Sequence, residues 1–563
     1  MNTKLKFFTG PGRCAMKLLL ACCLAPAAQA QYYYTNSYGV WSYTPDNGTI
    51  TVTGVTNTPP NGVVVIPDTI NSDPVTSIGD YAFYDQTALT GVTIGNSVTS
   101  IGESVFKFCS GLKSVTLGSG VANMGDEWFS ACSGLTNIAV DAGNASYASA
   151  GGVLFNKAMS WLFECPQGLA GNYAVPNSVT IIEGDAFLGC SDLTSVTIPA
   201  SVTYIGSGAF WNCSGLTNVT IPSGVTSIGE STFLACSRLM SVTIPDSVTS
   251  IGEYAFENCG LTSVTIPGSV TSIEDFSFAG CSDLASATIP DSLTSIGFEA
   301  FVKCDALTNI AVNAGNASYA SAGGVLFDKA MATLIEYPGG LAGSYAVPNN
   351  VTSIGEYAFD GCSGLTSVTI PGSVTSIGPD AFLACYALTN VTIGDSVTSI
   401  EDYAFSACTN LTSVTIPDSV TSLDQDAFYG CSGLHQAYFQ GNAPSANGQA
   451  GSEDNTVFQD AGAGTVYYLP GATGWGATFG GWPTAVWLPQ VQASNGSLGV
   501  KSNQFGFNIN WAGNMVVVVE AATNLANPVW VPVSTNTLTG GTSAFSDPQW
   551  TNYPGRYYRV TTP

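Results

Sequence analysis

The sequence predicts a mainly β solenoid built from coils of about 23 residues, and three observations predict it. The first is a fixed period. Phenylalanines recur at Phe83, Phe106, Phe129, Phe187, Phe210, Phe233, Phe256, Phe278, Phe301, Phe359, Phe382, Phe405 and Phe428, at gaps of 23 with one of 22 and two of 58. The second is that the apolar positions keep step with this marker. For Phe359 they are Leu365, Val368, Ile370, Val374 and Ile377. Val368 and Ile370 alternate with Ser367 and Thr369, the period of a strand with one buried face. The third is punctuation: Pro371 closes that strand, because it has no N–H to give to a ladder.

One coil is represented by Gly355 to Ile377, GEYAFDGCSGLTSVTIPGSVTSI. Its GEYAF segment reads as a tight helical or 3₁₀ turn that drops Phe359 inward, and Val374 to Ile377 as a second short extended piece. A single coil cannot bury its own apolar face, whereas a stack of coils makes a continuous core.

The recurring pattern AFxxCxxLTSVTIPxSVTSIG resembles the BspA-type leucine-rich repeat of bacterial and protist surface proteins, over about residues 75–434. The resemblance implies a leucine-rich-repeat array in a secreted or surface protein that binds proteins, or host and matrix components. It carries over no catalytic residue.

Residues 1–30 read as a secretory signal peptide. Lys4, Lys6, Arg13 and Lys17 make a basic start, Leu18 to Leu24 a short apolar run, and Ala28-Gln29-Ala30 a cleavage site. That run is too short to span a bilayer, and no later stretch could do so, so no transmembrane span is expected. Leu19-Leu20-Ala21-Cys22 also resembles a lipobox, which leaves lipidation of Cys22 open. Residues 31–74 alternate aromatic and polar side chains around a hairpin signal at Asp46-Asn47-Gly48, and read as an N-terminal β cap.

The array over 75–434 has inserts near 136–175 and 308–347, each adding 35 residues to one period. LTNIAVDAGNASYASAGGVLF from Leu135 and LTNIAVNAGNASYASAGGVLF from Leu307 differ only at Asp141 against Asn313 and lie 172 residues apart, the mark of a duplicated block. Within the second, two strands are expected around a tight turn at Asp328-Lys329, in a wider coil or hairpin that leaves the stack. The insert is read either as a spacer or as a protruding recognition loop. Residues 435–489 break the period and are dense in Tyr467, Tyr468, Trp475, Phe479, Trp482 and Trp487. They read as a cap on the last coil, or as an aromatic sugar-binding platform. Residues 490–563 look like a small C-terminal β module whose role in sorting, anchoring or binding is open.

Charged residues make up only 9% of the chain and hydrophobic ones 45%. Solubility must then come from Ser, Thr, Asn and Gly. Removal of residues 1–30 leaves nine basic residues against 39 acidic, a net charge of −30. That balance argues against nucleic acid, which needs clustered Lys and Arg, and against anionic membrane surfaces. Acids recur at set positions, such as Glu253, Glu356, Asp246 and Asp418. They read as a solvated edge or as loose calcium sites, without a D-x-[DN]-x-[DN]-G loop. The run Ser452 to Asn455 is too short to weigh.

Twelve cysteines follow a marker by three residues, from Cys109 to Cys431. This spacing is the repeat itself, so they are expected as buried free thiols rather than a disulfide framework. Cys165, matched by Tyr337 in the second insert, is expected to be packing. Zinc is not expected, since no C-x₂-C or Cys/His pair occurs. A triad would have to use His435, the one histidine, which is expected at the surface. No catalytic, cofactor-binding or metal-ligating residues are singled out, and no cofactor is expected.

Three functions remain. The first is an exported, non-enzymatic surface protein that mediates protein–protein or cell–matrix adhesion through the solenoid, with protein or glycan ligands and a monomer plausible. The second is a structural cell-envelope scaffold anchored by residues 490–563. The third is a carbohydrate-binding protein using the aromatic segment 467–487.

Overall fold

The structure is a computed structural model that describes residues 31–59, 61–446, 456–493, 496–502 and 504–563. The signal-peptide and Cys22 readings, and the run Ser452 to Asn455, lie outside the described residues. The described residues form two compact units, divided between Lys157 and Ala158.

The first unit starts as an antiparallel meander of Tyr32–Asn36, Gly39–Asp46 and Thr49–Thr56. Asn47 and Gly48 turn its second hairpin at φ 49° and 86°, the left-handed region that type I′ turns require. The last meander strand then pairs in parallel with Asp73–Ile78, which converts hairpin geometry into solenoid geometry. From there each coil supplies two parallel strands. One column, the A face, runs Val63–Val65, Gly91–Thr93, Ser114–Leu117 and Asn137–Val140. The other, the B face, runs Asp73–Ile78, Ser100–Ile101 and Asn123–Met124.

The second unit repeats the same two columns. Its A face includes Leu365–Thr369, Asn390–Thr392, Ser413–Ile416, Gln436–Phe439 and Thr465–Tyr468. Its B face includes Ser353–Ile354, Ser376–Ile377, Ser399–Ile400 and Ser422–Leu423. The third side of each coil is the turn that carries the phenylalanine. Phe210, Phe233 and Phe256 are fully buried. Successive rings stack at 5.2 and 5.3 Å with interplanar angles of 6° and 5°. The strand repeat of about 4.8 Å thus sets a ring spacing that suits offset aromatic stacking.

Among the described residues the turn face contains no run of helix. At alternate residues the N–H bonds back three residues within the coil, as Leu234 does to Ser231 (3.1 Å), while its neighbours bond forward to the next coil, as Phe233 does to Ala255 (2.8 Å) and Ala235 to Glu257 (2.8 Å). The 3₁₀-type bonds are present but never consecutive. Left-handed residues two before and two after each marker, such as Ser231 (φ 54°) and Ala235 (φ 59°), produce the alternation. Each left-handed residue costs about 1 kcal/mol or more, and the inter-coil ladder offsets it.

Among the described residues the cysteines are buried. Each regular thiol donates to the carbonyl oxygen of the marker one coil back, as Cys236 to Phe210 (3.1 Å) and Cys385 to Phe359 (3.1 Å). Burial pushes the Cys213, Cys236-neighbouring Cys259, Cys362 and Cys408 thiols well above the ordinary range.

Only part of each insert leaves the stack. In the second unit Tyr319–Ala322 and Val325–Asp328 form an antiparallel hairpin, and Thr333–Glu336 returns across Val325–Asp328. The Asp328 carboxylate accepts from the N–H groups of Ala332 and Thr333, closing the expected turn. Thr333–Glu336 then joins the B column by pairing with Ser353–Ile354. Tyr337 takes a phenylalanine's place, stacked on Phe359 at 4.9 Å, and its carbonyl accepts the Cys362 thiol. Cys165 holds the equivalent place, its carbonyl facing the Cys190 thiol at 3.5 Å. The insert is therefore a hairpin followed by an abbreviated coil. Asn316 anchors it: its amide donates to Pro290 and Leu293 carbonyls and its oxygen accepts from Ser318 and Tyr319 N–H groups. Asn144 makes the same four bonds in the first unit.

Stacking also continues beyond residue 434. Phe458 lies on Phe428 at 5.6 Å, and Trp482 on Phe458 at 4.3 Å. Residues 490–563 form two antiparallel sheets, of four and three strands, around Phe507, Ile509, Trp511, Val517, Val519 and Phe545.

Candidate ligand-binding surface

The two strand faces look alike in sequence, because both present Ser and Thr outward. Their hydroxyls behave differently. On the B face threonines donate to the backbone carbonyl of their counterpart one coil back: Thr375 to Thr352 (3.2 Å), Thr398 to Thr375 (3.1 Å) and Thr421 to Thr398 (3.4 Å). These hydroxyls are spent on holding coils together.

On the A face the threonine two residues after the first outward serine points away from the ladder. Thr197, Thr220, Thr243, Thr265, Thr288, Thr369, Thr392 and Thr415 are exposed. Register pairing places Thr220 beside Thr243, Thr265 beside Thr288 and Thr369 beside Thr392. Among the described residues none of these hydroxyls has a hydrogen-bond partner, so both donor and acceptor capacity face solvent at a spacing of about 4.8 Å. The A-face strands between Leu193 and Ile416 contain no charged residue. The acids lie elsewhere.

On the turn side, around the second insert, burial raises several carboxyls. Glu299 is pushed up to about 7, by burial and then by the charge of Asp360. Asp360 reaches about 7 and Asp380 about 6, again mainly through burial. Glu336 is raised well above its usual range by burial, then by Asp360 and Glu299. Lys303 opposes the shifts of Glu299 and Asp360. Among the described residues no group of three or more His, Cys, Asp and Glu side chains is arranged to hold a metal ion.

The aromatic segment divides. Trp482 closes the phenylalanine column, and Trp475 packs between Tyr468 (5.2 Å, 6°) and Phe439 (4.9 Å) with Phe479 against it. Tyr467 and Trp487 are half-buried beside Tyr438, a residue with no distinguishing mark in the sequence, and Trp487 also packs against the core of the C-terminal module. Tyr438 stacks on Tyr467 at 5.1 Å and meets Trp487 at 4.7 Å. Tyr438 occupies the same A-face column as Thr415, so the hydroxyl ladder ends in aromatics. His435 is exposed on this face.

The model of the BspA type leucine rich repeat region matches residues 66–157, 169–284, 249–329 and 342–450, more than half of the chain, in six copies. The chain belongs to the BspA-type leucine-rich-repeat family. Proteins built from such repeats are typically binding scaffolds rather than enzymes. Among solved structures, this BspA-type chain is similar to a leucine rich cell surface protein from Faecalibacterium prausnitzii A2-165, at 29% identity over 78% of this chain and 96% of that chain, with a TM-score of 0.41. A leucine-rich repeat protein from Bacteroides ovatus ATCC 8483 is 23% identical over 78% and 95%, with a TM-score of 0.38. The pneumococcal vaccine antigen PcpA is 19% identical over 78% and 94%, with a TM-score of 0.36. No curated protein matches the chain. Among the described residues, no helix is long and apolar enough to cross a membrane.

Proposed function

We propose that this is an exported, non-enzymatic surface protein that binds protein or matrix ligands through the A face of its repeats. The observation that carries the reading is the contrast between the two threonine ladders. The B-face hydroxyls of Thr375, Thr398 and Thr421 are consumed by the fold, as are A-face hydroxyls at the strand starts such as Thr217 and Thr389. The second outward A-face threonines, Thr369, Thr392 and Thr415, are instead exposed, have no hydrogen-bond partner among the described residues and lie in an uncharged strip. Such a strip makes many weak, regularly spaced polar contacts, which suits an extended ligand held by multivalency rather than a pocket ligand. The family is one of surface binding scaffolds, and the leader-like residues 1–30 support export.

The test compares two triple variants in the full mature chain. Thr369→Lys/Thr392→Lys/Thr415→Lys should abolish adhesion to immobilised fibronectin, collagen or mucin. Thr375→Lys/Thr398→Lys/Thr421→Lys, if folded, should retain it. Equal retention by both variants would remove the A face from consideration.

A second reading, a cell-envelope scaffold anchored by residues 490–563, draws on the exposed apolar side chains of Leu525, Val529 and Val531 in that module. Unchanged surface retention after deletion of 490–563 would count against it.

A further inference from the structure

We infer that the end of the A face carries a subsite for a neutral carbohydrate ring, built on Tyr467. It goes beyond the adhesive reading of the threonine columns and uses none of their residues. Four observations converge. Tyr438 covers one face of the Tyr467 ring, at 5.1 Å and 18°. On the other side the register partner of Tyr467 is Ala485, whose methyl group is too small to cover an aromatic face. That side of the ring has no aromatic cover, Tyr467 lines an open pocket, and the coils before Tyr438 place only Thr369, Thr392 and Thr415 in this column.

Trp487 walls the site from above Tyr438. Tyr467, Tyr438 and Trp487 line a pocket of about 360 Å³ together with Gln436, Gln490, Val486 and Leu488.

The amides are poised in complementary ways. Gln436 spends its oxygen on the Tyr438 hydroxyl (2.8 Å), which leaves its NH₂ as a donor. Gln490 spends its NH₂ on the Leu488 carbonyl (3.3 Å), which leaves its oxygen as an acceptor. An open π face attracts the C–H-rich face of a pyranose, because the ring face is electronegative and the C–H edge positive. One donor and one acceptor beside it match the equatorial hydroxyls of that sugar.

No carboxylate or cationic side chain lines the pocket, so neither a phosphate nor an acidic sugar has a partner there. A proline-rich peptide is the competing occupant of an aromatic groove. A single open ring face with amides at its edge, instead of two parallel walls, favours one flat ring.

The experiment is affinity electrophoresis of the full mature protein in gels containing soluble neutral polysaccharides (hydroxyethylcellulose, xylan or galactomannan), with polygalacturonate and a proline-rich peptide as comparisons. Retardation by at least one neutral polysaccharide is expected. Tyr467→Ala should weaken it at least tenfold, and Ala485→Trp, which fills the open face, should do the same. Thr369→Lys/Thr392→Lys/Thr415→Lys should leave it intact, which separates this site from the A-face strip. Absence of retardation by all neutral polysaccharides overturns the inference. Retention of binding in Tyr467→Ala, or binding to the peptide or polygalacturonate alone, does so as well.

Discussion

The Cys213 thiol donates to the carbonyl oxygen of Phe187, one coil back, at 3.0 Å. The same bond recurs from Cys236 to Phe210 and from Cys259 to Phe233. Cysteine is thus the one small apolar side chain that also supplies a donor at this position. Serine would keep the donor but bury a more strongly hydrated group, and alanine would lose the bond and leave a void. Cys213→Ala should lower stability by about 1–2 kcal/mol in denaturant unfolding. In the folded protein the ladder thiols should not react with a thiol-specific disulfide reagent, since they are buried and out of reach and burial raises the pKa of thiols such as Cys213. In guanidinium they should all react.

The two threonine ladders should separate in stability as well as in binding. Thr375→Val/Thr398→Val/Thr421→Val removes three inter-coil hydrogen bonds and should cost about 1–2 kcal/mol in total. Thr369→Val/Thr392→Val/Thr415→Val removes none and should stay within about 0.5 kcal/mol of the parent. Matched urea midpoints for the two variants would contradict the assignment of the faces.

Burial of Glu299, Asp360 and Asp380 makes the second unit less stable as pH rises. Each carboxyl has a folded pKa above its unfolded one: about 7 against 4.5 for Glu299, and about 7 and 6 against 3.8 for Asp360 and Asp380. Below the unfolded value both states are protonated and no penalty exists. Between about pH 4 and 7 the unfolded chain ionises more readily, so stability falls, and above that it levels off. Glu299→Gln should therefore raise the melting temperature at pH 8 and leave it unchanged at pH 4. A variant that melts below the parent at pH 8 would show that Glu299 carries favourable charge there.

Asn316 holds the hairpin to the coil beneath through four hydrogen bonds while almost completely buried. Asn316→Ala strands two N–H groups and two carbonyls, and should cost about 3 kcal/mol. The first sign should be faster proteolysis within residues 317–332 than in the parent.

In the C-terminal module Arg556 pairs with Asp547 at 3.1 Å, both largely buried, and Tyr558 donates to the same carboxylate oxygen at 2.8 Å. Breaking a buried pair leaves one charge without a partner, so Arg556→Ala should cost about 3–5 kcal/mol. Calorimetry should show that loss in the transition of residues 490–563 and leave the repeat transition in place.

The period of Phe83, Phe106 and Phe129 and the alternation of Ser367, Val368 and Thr369 were enough to read a stacked β core, because both depend on spacing alone. Other features depend on where hydrogen bonds end. Thr392 and Thr398 are the same residue in similar strands, and only backbone register decides that one hydroxyl meets a carbonyl and the other does not. Phe458 escaped the period because 30 residues separate it from Phe428. Tyr337 escaped because it is not phenylalanine, although Cys362 follows it by 25 residues, close to the usual thiol-to-carbonyl spacing of 26. The aromatic platform was half visible. Tyr467 and Trp487 stand out by composition, but Tyr438 counts only as the replacement for Thr415 one period earlier. The alternating left-handed turn had a signal too, since Gly189, Asn212, Asn258 and Gly280 fall at its second left-handed position.

Because the bonds that join coils link each residue to its equivalent one period away, the array has no unique joint. Removing Gly378 to Ile400 in the gene would set Glu401 where Gly378 had been, with Ser399–Ile400 lost and Ser422–Leu423 facing Ser376–Ile377 in the same register. Unequal crossing-over between such similar stretches of DNA would thus add or drop whole units without passing through a broken fold. The near-copies 172 residues apart are what one such event leaves behind. Reach, counted in coils, becomes a trait that a lineage can adjust in a single generation.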